Sequence, residues 1–549
     1  MLAGRRTPAC AALAVVLALA LAACTGGDPV PAPDGSPTPT VDPGPSPEDV
    51  VATVVIPESG VEVEVGVHPV VRAGEYAVLT LDLTALTESP TGDRVHVYGF
   101  DGALGQNLPL RRPSNVRLVD LERDLIYHPG VGADDWPVVA PSDWHHVSDP
   151  GGSRVLIPYP APAPDVTSLS VFLPGAPLLA DVPVIDGEVP SSVRPEQQAQ
   201  EPAADPSASG TATPSPAPEP QSLAFDEIVE ARTFPLDSTS AELAGAVTTT
   251  ESVERVDVQL GADVLFDFDQ ATLTPAASEA LGLVAARVSE REAGTVSIVG
   301  HTDDQGDDAY NRDLSLRRAQ AVADALSGLV DPSSYPMTAE GRGEAEPFVA
   351  NDSEENRARN RRVAVTLTST VVTRTDITTT GELPPFGEKG QVADAGSVVS
   401  IAGNMRSWEV AATARRVHGH VVVDLTVHGA DDAVGAGWVL GALRGFNTHR
   451  GKGSWTPLDV AGNAVVLQGA SRLFPMDYTT GPLPNYPAGE WLSVSDLNGA
   501  SRIDGGQTRT YSYVFPRMDV GTVTFQVGNG LGADEFRFVD LAVAPDDAD

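Results

Sequence analysis

The chain has 549 residues, too many for one hydrophobic core, and the length suggests three or four domains. Its formal net charge of −40 and pI near 4.4 argue against nucleic-acid binding through a broad basic surface and against electrostatic attraction to anionic lipid. Charged residues make up only 20% while Gly and Pro number 52 and 47, which fits a β-rich protein with loops and linkers better than a helical bundle.

The N-terminus reads MLAGRRTPACAALAVVLALALAAC. Arg5 and Arg6 precede an apolar run from about Ala11 to Ala23 that is short for a membrane span and ends in small residues, the pattern of a secretory signal over 1–23. Leu21-Ala22-Ala23-Cys24 resembles the lipobox of bacterial lipoproteins. That resemblance implies a lipidated Cys24 as the first mature residue, held in a membrane by palmitate-type acyl chains. The other cysteine, Cys10, lies inside the signal, so the exported chain is expected to fold without a disulfide.

Residues 24–49 form a Pro-rich linker, and a second Pro/Ala/Ser-rich linker covers 189–222. A Thr-rich break follows at 370–390. Between them, 50–188 carries short alternating runs such as VEVEVGV, YAVLTLDL and LSVFLP, separated by turn residues, as in an antiparallel β-sandwich. Residues 391–549 read the same way, with HVVVDLTV, TYSYVF, VTFQV and FRFVDLAV, and are expected to form a second β-sandwich domain.

The block at 223–369 is different. VDVQL and VLFDFD read as strands, and period two places Val264, Phe266 and Phe268 on one face with Asp267 and Asp269 on the other. Thr274-Pro275 predicts a helix start, and Ala277, Leu281, Val284, Ala285 and Val288 recur at helical spacing. VSIVGHTD predicts a strand delivering His301, Thr302 and Asp303 at its C-terminal end, a favoured place for ligands in open α/β sheets. His301 is expected to fix this loop by hydrogen bonding.

A helix is predicted from about Ala309 to Leu329, with Leu314, Ala321, Val322, Ala325 and Leu326 as its buried stripe. MTAEGRGEAEP then reads as a turn or short strand, NDSEENRARNRR as a helix and VAVTLTS as a last strand, giving the block an α/β character. Asn311 and Arg318 lie two turns apart on one face of the long helix, whereas Arg317 is rotated about 100° from Arg318. A carboxylate, an amide and a guanidinium brought together would suit a ligand carrying both ammonium and carboxylate groups.

GHTDDQGDDAYNRDLSLRRAQAV followed by EGRGEAEPFVANDSEENRARNRRVAVTL resembles the OmpA-like peptidoglycan-binding domain, as found in peptidoglycan-associated lipoproteins. The likeness covers roughly Val256 to Leu367 and implies a mixed β-sheet with helices packed on it. It also implies non-covalent binding of the diaminopimelate residue of the peptidoglycan stem peptide. By this resemblance Asp303 would receive the ammonium, Arg318 would hold the carboxylate, Asn311 would position the ligand and Arg361 would close the site. Asp269 stands where several members place a polar contact, often asparagine, and Arg317 would be the outward neighbour.

The remaining candidates are weak. His418 and His420 would share a strand face, and Asp143-Trp144-His145-His146 is the other histidine cluster outside the motif, but neither has partners at metal-ligand spacing. There is no nucleophile elbow, phosphate-binding glycine loop or HExxH helix, so no enzyme, metal or cofactor is expected. The sequence therefore predicts a lipid-anchored envelope protein that links its membrane (the outer one if the cell has it) to the cell wall, with an unknown protein partner for the sandwiches. The alternative is a surface adhesin or assembly module in which the sandwiches carry the function and the α/β domain only tethers.

Overall fold

The computed structural model describes residues 44–546 apart from 59, 89–94, 98–99, 101–114, 135, 142–145, 148–151, 199–218, 243–246, 253–254, 292, 370–382, 403–405, 433–440, 444–447, 451–460, 470, 481–490 and 496–502. The leader, Cys24, the greater part of the three linkers and Asp143-Trp144-His145 lie outside the described residues. The fold consists of mixed sheets with few helices.

The alternating runs become strands as their pattern requires. In Val61–Val67 the four valines are buried, whereas Glu62 is exposed and Glu64 half-buried. Burying each valine is worth roughly 1.5–3 kcal/mol, so the pattern fixes the register of the hairpin with Ala52–Glu58. The run HVVV in His420–Gly429 breaks alternation, and both of its faces are covered. Val421, Val423, Leu425 and Val427 enter the core of the C-terminal region. Val422 points the other way, into a cluster with Val119, Leu121, Ile126 and Phe172 of the N-terminal region.

Residues 45–549 accordingly make up one compact unit. After the second Pro-rich stretch, Phe225 stacks on Tyr76 with ring centroids 5.4 Å apart, and Thr233–Pro235 pairs with Leu125–Tyr127. Ser238–Glu242 then pairs with Ser471–Leu473 of the C-terminal region on one side and with Val247–Glu251 on the other. From there the sheet continues through Arg255–Gly261, Arg362–Ser369, Gly294–His301 and Met337–Gly343, the last pair parallel and the rest antiparallel. Fully buried Arg117 reaches across the regions, donating to the Ser493 carbonyl at 2.9 Å and to that of Ser495, over the face of Phe172.

His128 sits in the same junction, bonded to the Tyr478 hydroxyl at 2.7 Å and edge-on to Phe234. Burial, reinforced by Arg117 and Arg232, pushes its pKa down to about 3. The unfolded chain takes up this proton near pH 6.5 and the fold only near 3. The histidine's contribution is thus complete above pH 6.5 and is lost as pH falls through that window, at about 1.4 kcal/mol per unit. His128→Gln is expected to flatten the acid limb of the unfolding midpoint plotted against pH; an unchanged limb would contradict the assignment.

The α/β part departs from expectation at VLFDFD. Ala262–Leu265 is one helical turn, Phe266 makes a single bridge to Leu273, and Asp269 adopts a left-handed φ of 60°. Phe266 is 3% exposed and Phe268 is 96% exposed, so they share no face. The neighbours Leu265 and Phe266 are both buried, which one face of a strand cannot achieve. Thr274 secures the bend, donating from its hydroxyl to the Val264 carbonyl and accepting from the Ala277 amide.

The following helix, Ala277–Ser289, buries all five residues of its predicted stripe. The long helix is Asp308–Leu326, with Asp307 as N-cap accepting from the Ala309 and Tyr310 amides. Its buried face is rotated slightly from the predicted one: Leu314, Ser315, Arg318, Ala319, Val322, Ala323 and Leu326 are buried, while Ala321 and Ala325 are only half-buried. His418 is a turn residue with φ 49°, so it does not share a strand face with His420. The two histidines meet different carboxylates, Asp181 and Asp124, each at 2.9 Å.

Candidate functional site

The glycines of GHTD and EGRG set the position of the long helix. A Cβ on Gly300 would lie 2.1 Å from the Ser315 carbonyl oxygen, and one on Gly341 would lie 2.5 Å from the Leu316 amide. The helix backbone therefore rests directly on the two parallel strands. Ser315, itself buried, accepts from the Gly343 amide and donates to the Arg312 carbonyl. Gly300→Ala is expected to lower stability by about 1–3 kcal/mol, because neither backbone can give way. A denaturant titration checks this, and an unchanged midpoint would contradict the close approach.

This seating brings the predicted residues to the C-terminal end of Gly294–His301. Asp303 is 8% exposed; its Oδ2 accepts from Arg361 Nη1 at 2.7 Å and its Oδ1 accepts from the Gln305 amide. Arg361 follows the helix Glu354–Asn360, which is capped by Ser353. It grips Asp263 with Nε and Nη2 at 3.0 and 2.8 Å and also reaches Glu354 at 3.0 Å. These partners, Asp263 foremost, raise its pKa further above the ordinary arginine value.

Arg318 is 5% exposed. Its Nε donates to the Gln270 carbonyl at 2.8 Å, and its guanidinium lies 5.2 Å from the Phe266 ring centroid. Burial lowers its pKa, opposed by the fields of Asp263, Asp269 and Asp303. Arg317 faces outward, half exposed and paired with Asp313 at 2.9 Å.

Asn311 is buried, and its side-chain amide donates to the Gln305 carbonyl and to Glu344 Oε2 at 3.1 and 2.8 Å. One amide bond thus holds the loop that carries Asp303 and the other the segment after the strand Met337–Gly343. Asp269 is exposed at the rim and accepts from the Tyr310 hydroxyl at 2.7 Å. His301 differs from expectation: among the described residues its buried Nδ1 has no hydrogen-bond partner. Burial, with Arg362 and Arg342 nearby, holds its pKa down to about 3, so the ring is neutral.

The fold therefore brings Asp303, Arg318, Arg361 and Asp269 into one cluster, with Asn311 bonded to the loop that carries Asp303. Asp263, Gln270, Tyr310 and Glu344 complete the arrangement and were not foreseen. Asp263 and Arg361 are 98 positions apart, so no spacing rule could pair them. Among the described residues no group of His, Cys, Asp and Glu has the geometry to hold a metal ion.

The sequence pattern of the OmpA family matches residues 265–361. Outer membrane protein A of Bordetella avium is 41% identical over 109 residues, covering 20% of this chain and 55% of that protein. The chain thus spans about half the length of that relative. YfiB of Escherichia coli strain K12, named as a lipoprotein, is 35% identical over 122 residues, covering 22% of this chain and 75% of that one. The crystal structure of the peptidoglycan-associated lipoprotein from Burkholderia pseudomallei is 30% identical and covers 19% of this chain and 88% of that chain, with a TM-score of 0.17. Through these residues the chain belongs to the OmpA family.

Proposed function

We propose that this protein binds peptidoglycan non-covalently through the diaminopimelate residue of the stem peptide, and that lipidated Cys24 ties it to the cell membrane. Its action is that of a tether, without bond-making chemistry. The observation that carries the reading is a pair of buried, opposite charges that are not paired with each other. Arg318 is fixed through Nε to a carbonyl, which leaves the end of its guanidinium fork for a ligand carboxylate. Asp303, fixed by the Gln305 amide and Arg361, supplies acceptor oxygens for an ammonium. The amino acid at the free end of diaminopimelate presents that combination on one carbon.

Co-sedimentation of the full chain with purified diaminopimelate-type sacculi tests the reading. Binding is expected, and free diaminopimelate is expected to compete for it. A chain that stays in the supernatant, or sediments regardless of competitor, would overturn the assignment. The membrane half is tested separately: Cys24→Ser is expected to release the protein from the membrane fraction.

A further inference from the structure

Resting on that reading, the charges around Arg318 bear on which form of diaminopimelate the site selects. Arg361 already faces three carboxylates, those of Asp263, Asp303 and Glu354, so it has no surplus positive charge for an incoming anion. Arg318 has no ion-pair partner among the described residues, yet it lies in the fields of Asp263, Asp269 and Asp303. Gln270, whose carbonyl anchors Arg318 Nε, is the residue after Asp269. The Asp269 carboxylate is steered by the Tyr310 hydroxyl on Oδ1, which leaves Oδ2 open. Tyr310 belongs to the same long helix as Arg318.

A ligand carboxylate docked on Arg318 would meet the like charge of Asp269. A ligand carboxamide in the same place would not, because its carbonyl oxygen accepts from the guanidinium and its N–H donates to a carboxylate. Asparagine at 269 would lose this distinction, since its side chain offers a neutral acceptor and a donor together. The backbone there tolerates either residue, since Asn and Asp both populate the left-handed region. We infer that Asp269 is a specificity-determining residue that shifts the site toward stem peptides whose diaminopimelate carboxyl is amidated, relative to a site with asparagine at this position.

The test is equilibrium binding of two soluble muropeptides to the full chain: a diaminopimelate tripeptide, and the same tripeptide with that carboxyl as a carboxamide. The ratio of carboxamide to free-acid affinity is expected to be about fivefold higher in wild type than in Asp269→Asn, the scale set by one exposed charge contact. Added salt is expected to shrink that difference, because it screens the exposed Asp269 carboxylate. A ratio unchanged in Asp269→Asn would overturn this inference while leaving the proposed function standing. If neither peptide binds, both fall.

Discussion

Replacing Arg318 with alanine is expected to weaken binding of the full chain to sacculi at least about tenfold. Hydrogen bonds to a charged group are worth about 1.5–3 kcal/mol each, and 1.4 kcal/mol is tenfold in affinity. A guanidinium can make two such bonds to one carboxylate. Burial strengthens the effect, because Arg318 is 5% exposed and water cannot replace the missing donors well. The same side chain holds the Gln270 carbonyl and covers Phe266, so the alanine variant will also lose some stability. Arg318→Lys separates the two effects, since it keeps the charge but not the fork, and an intermediate loss is expected. Arg317→Ala, which removes a half-exposed partner of Asp313, should sediment as wild type does. Near-equal losses in Arg317→Ala and Arg318→Ala would mean that general charge, not this site, governs binding.

The largest stability effect is expected away from the site. Asp477 is 4% exposed and accepts from both Nε and Nη2 of Arg450 and from His449. Arg450 also donates to Asp237 at 3.0 Å and lies 4.1 Å from the Trp491 ring centroid. Asp237 opens the strand pairing that carries the chain from the N-terminal region to the C-terminal one. Asp477→Ala would leave a buried guanidinium with one remaining carboxylate, and breaking a buried pair in this way costs about 3–5 kcal/mol. Asp237 only partly replaces it, since it takes a single bond from Arg450 Nη2, at 3.0 Å. An unfolding midpoint in denaturant close to wild type would show that the cluster is solvated in solution.

Much of the α/β part was legible because its signals are local. The stripe from Ala277 to Val288, the cap at Asp307 and the separation of Arg317 from Arg318 all follow from helical spacing within a few turns. The segment VLFDFD reads as a strand because Phe266 to Asp269 alternate, a pattern that a bend satisfies as well. Only the bridge from Phe266 to Leu273 and the contacts of Thr274 decide between them. Site residues inside the GHTD, YN and NRRV motifs could be named, whereas their supports could not. The Asp263–Arg361 grip and the Asn311–Glu344 bond join positions that meet only after the sheet has formed.

The reach of the flanking strands was equally hidden. Val422 and Val514 look like ordinary strand valines, and only their contact with Val119 and Phe172 shows that both faces of their strands are covered. Because Ser238–Glu242 pairs with Ser471–Leu473, removing residues 391–549 would strip a neighbour from the sheet that carries the site. Point substitutions on the full chain are therefore the cleaner way to separate wall binding from any role of the flanking regions.

The most direct measurement is the affinity of the full chain for diaminopimelate-type against lysine-type peptidoglycan. Lysine keeps the ammonium but lacks the carboxylate at the end of its side chain, so it can engage Asp303 but offers nothing to Arg318. A preference of at least about tenfold for the diaminopimelate type, abolished in Arg318→Ala, is the predicted result. Equal affinity for the two would contradict the central claim that this site reads a zwitterion.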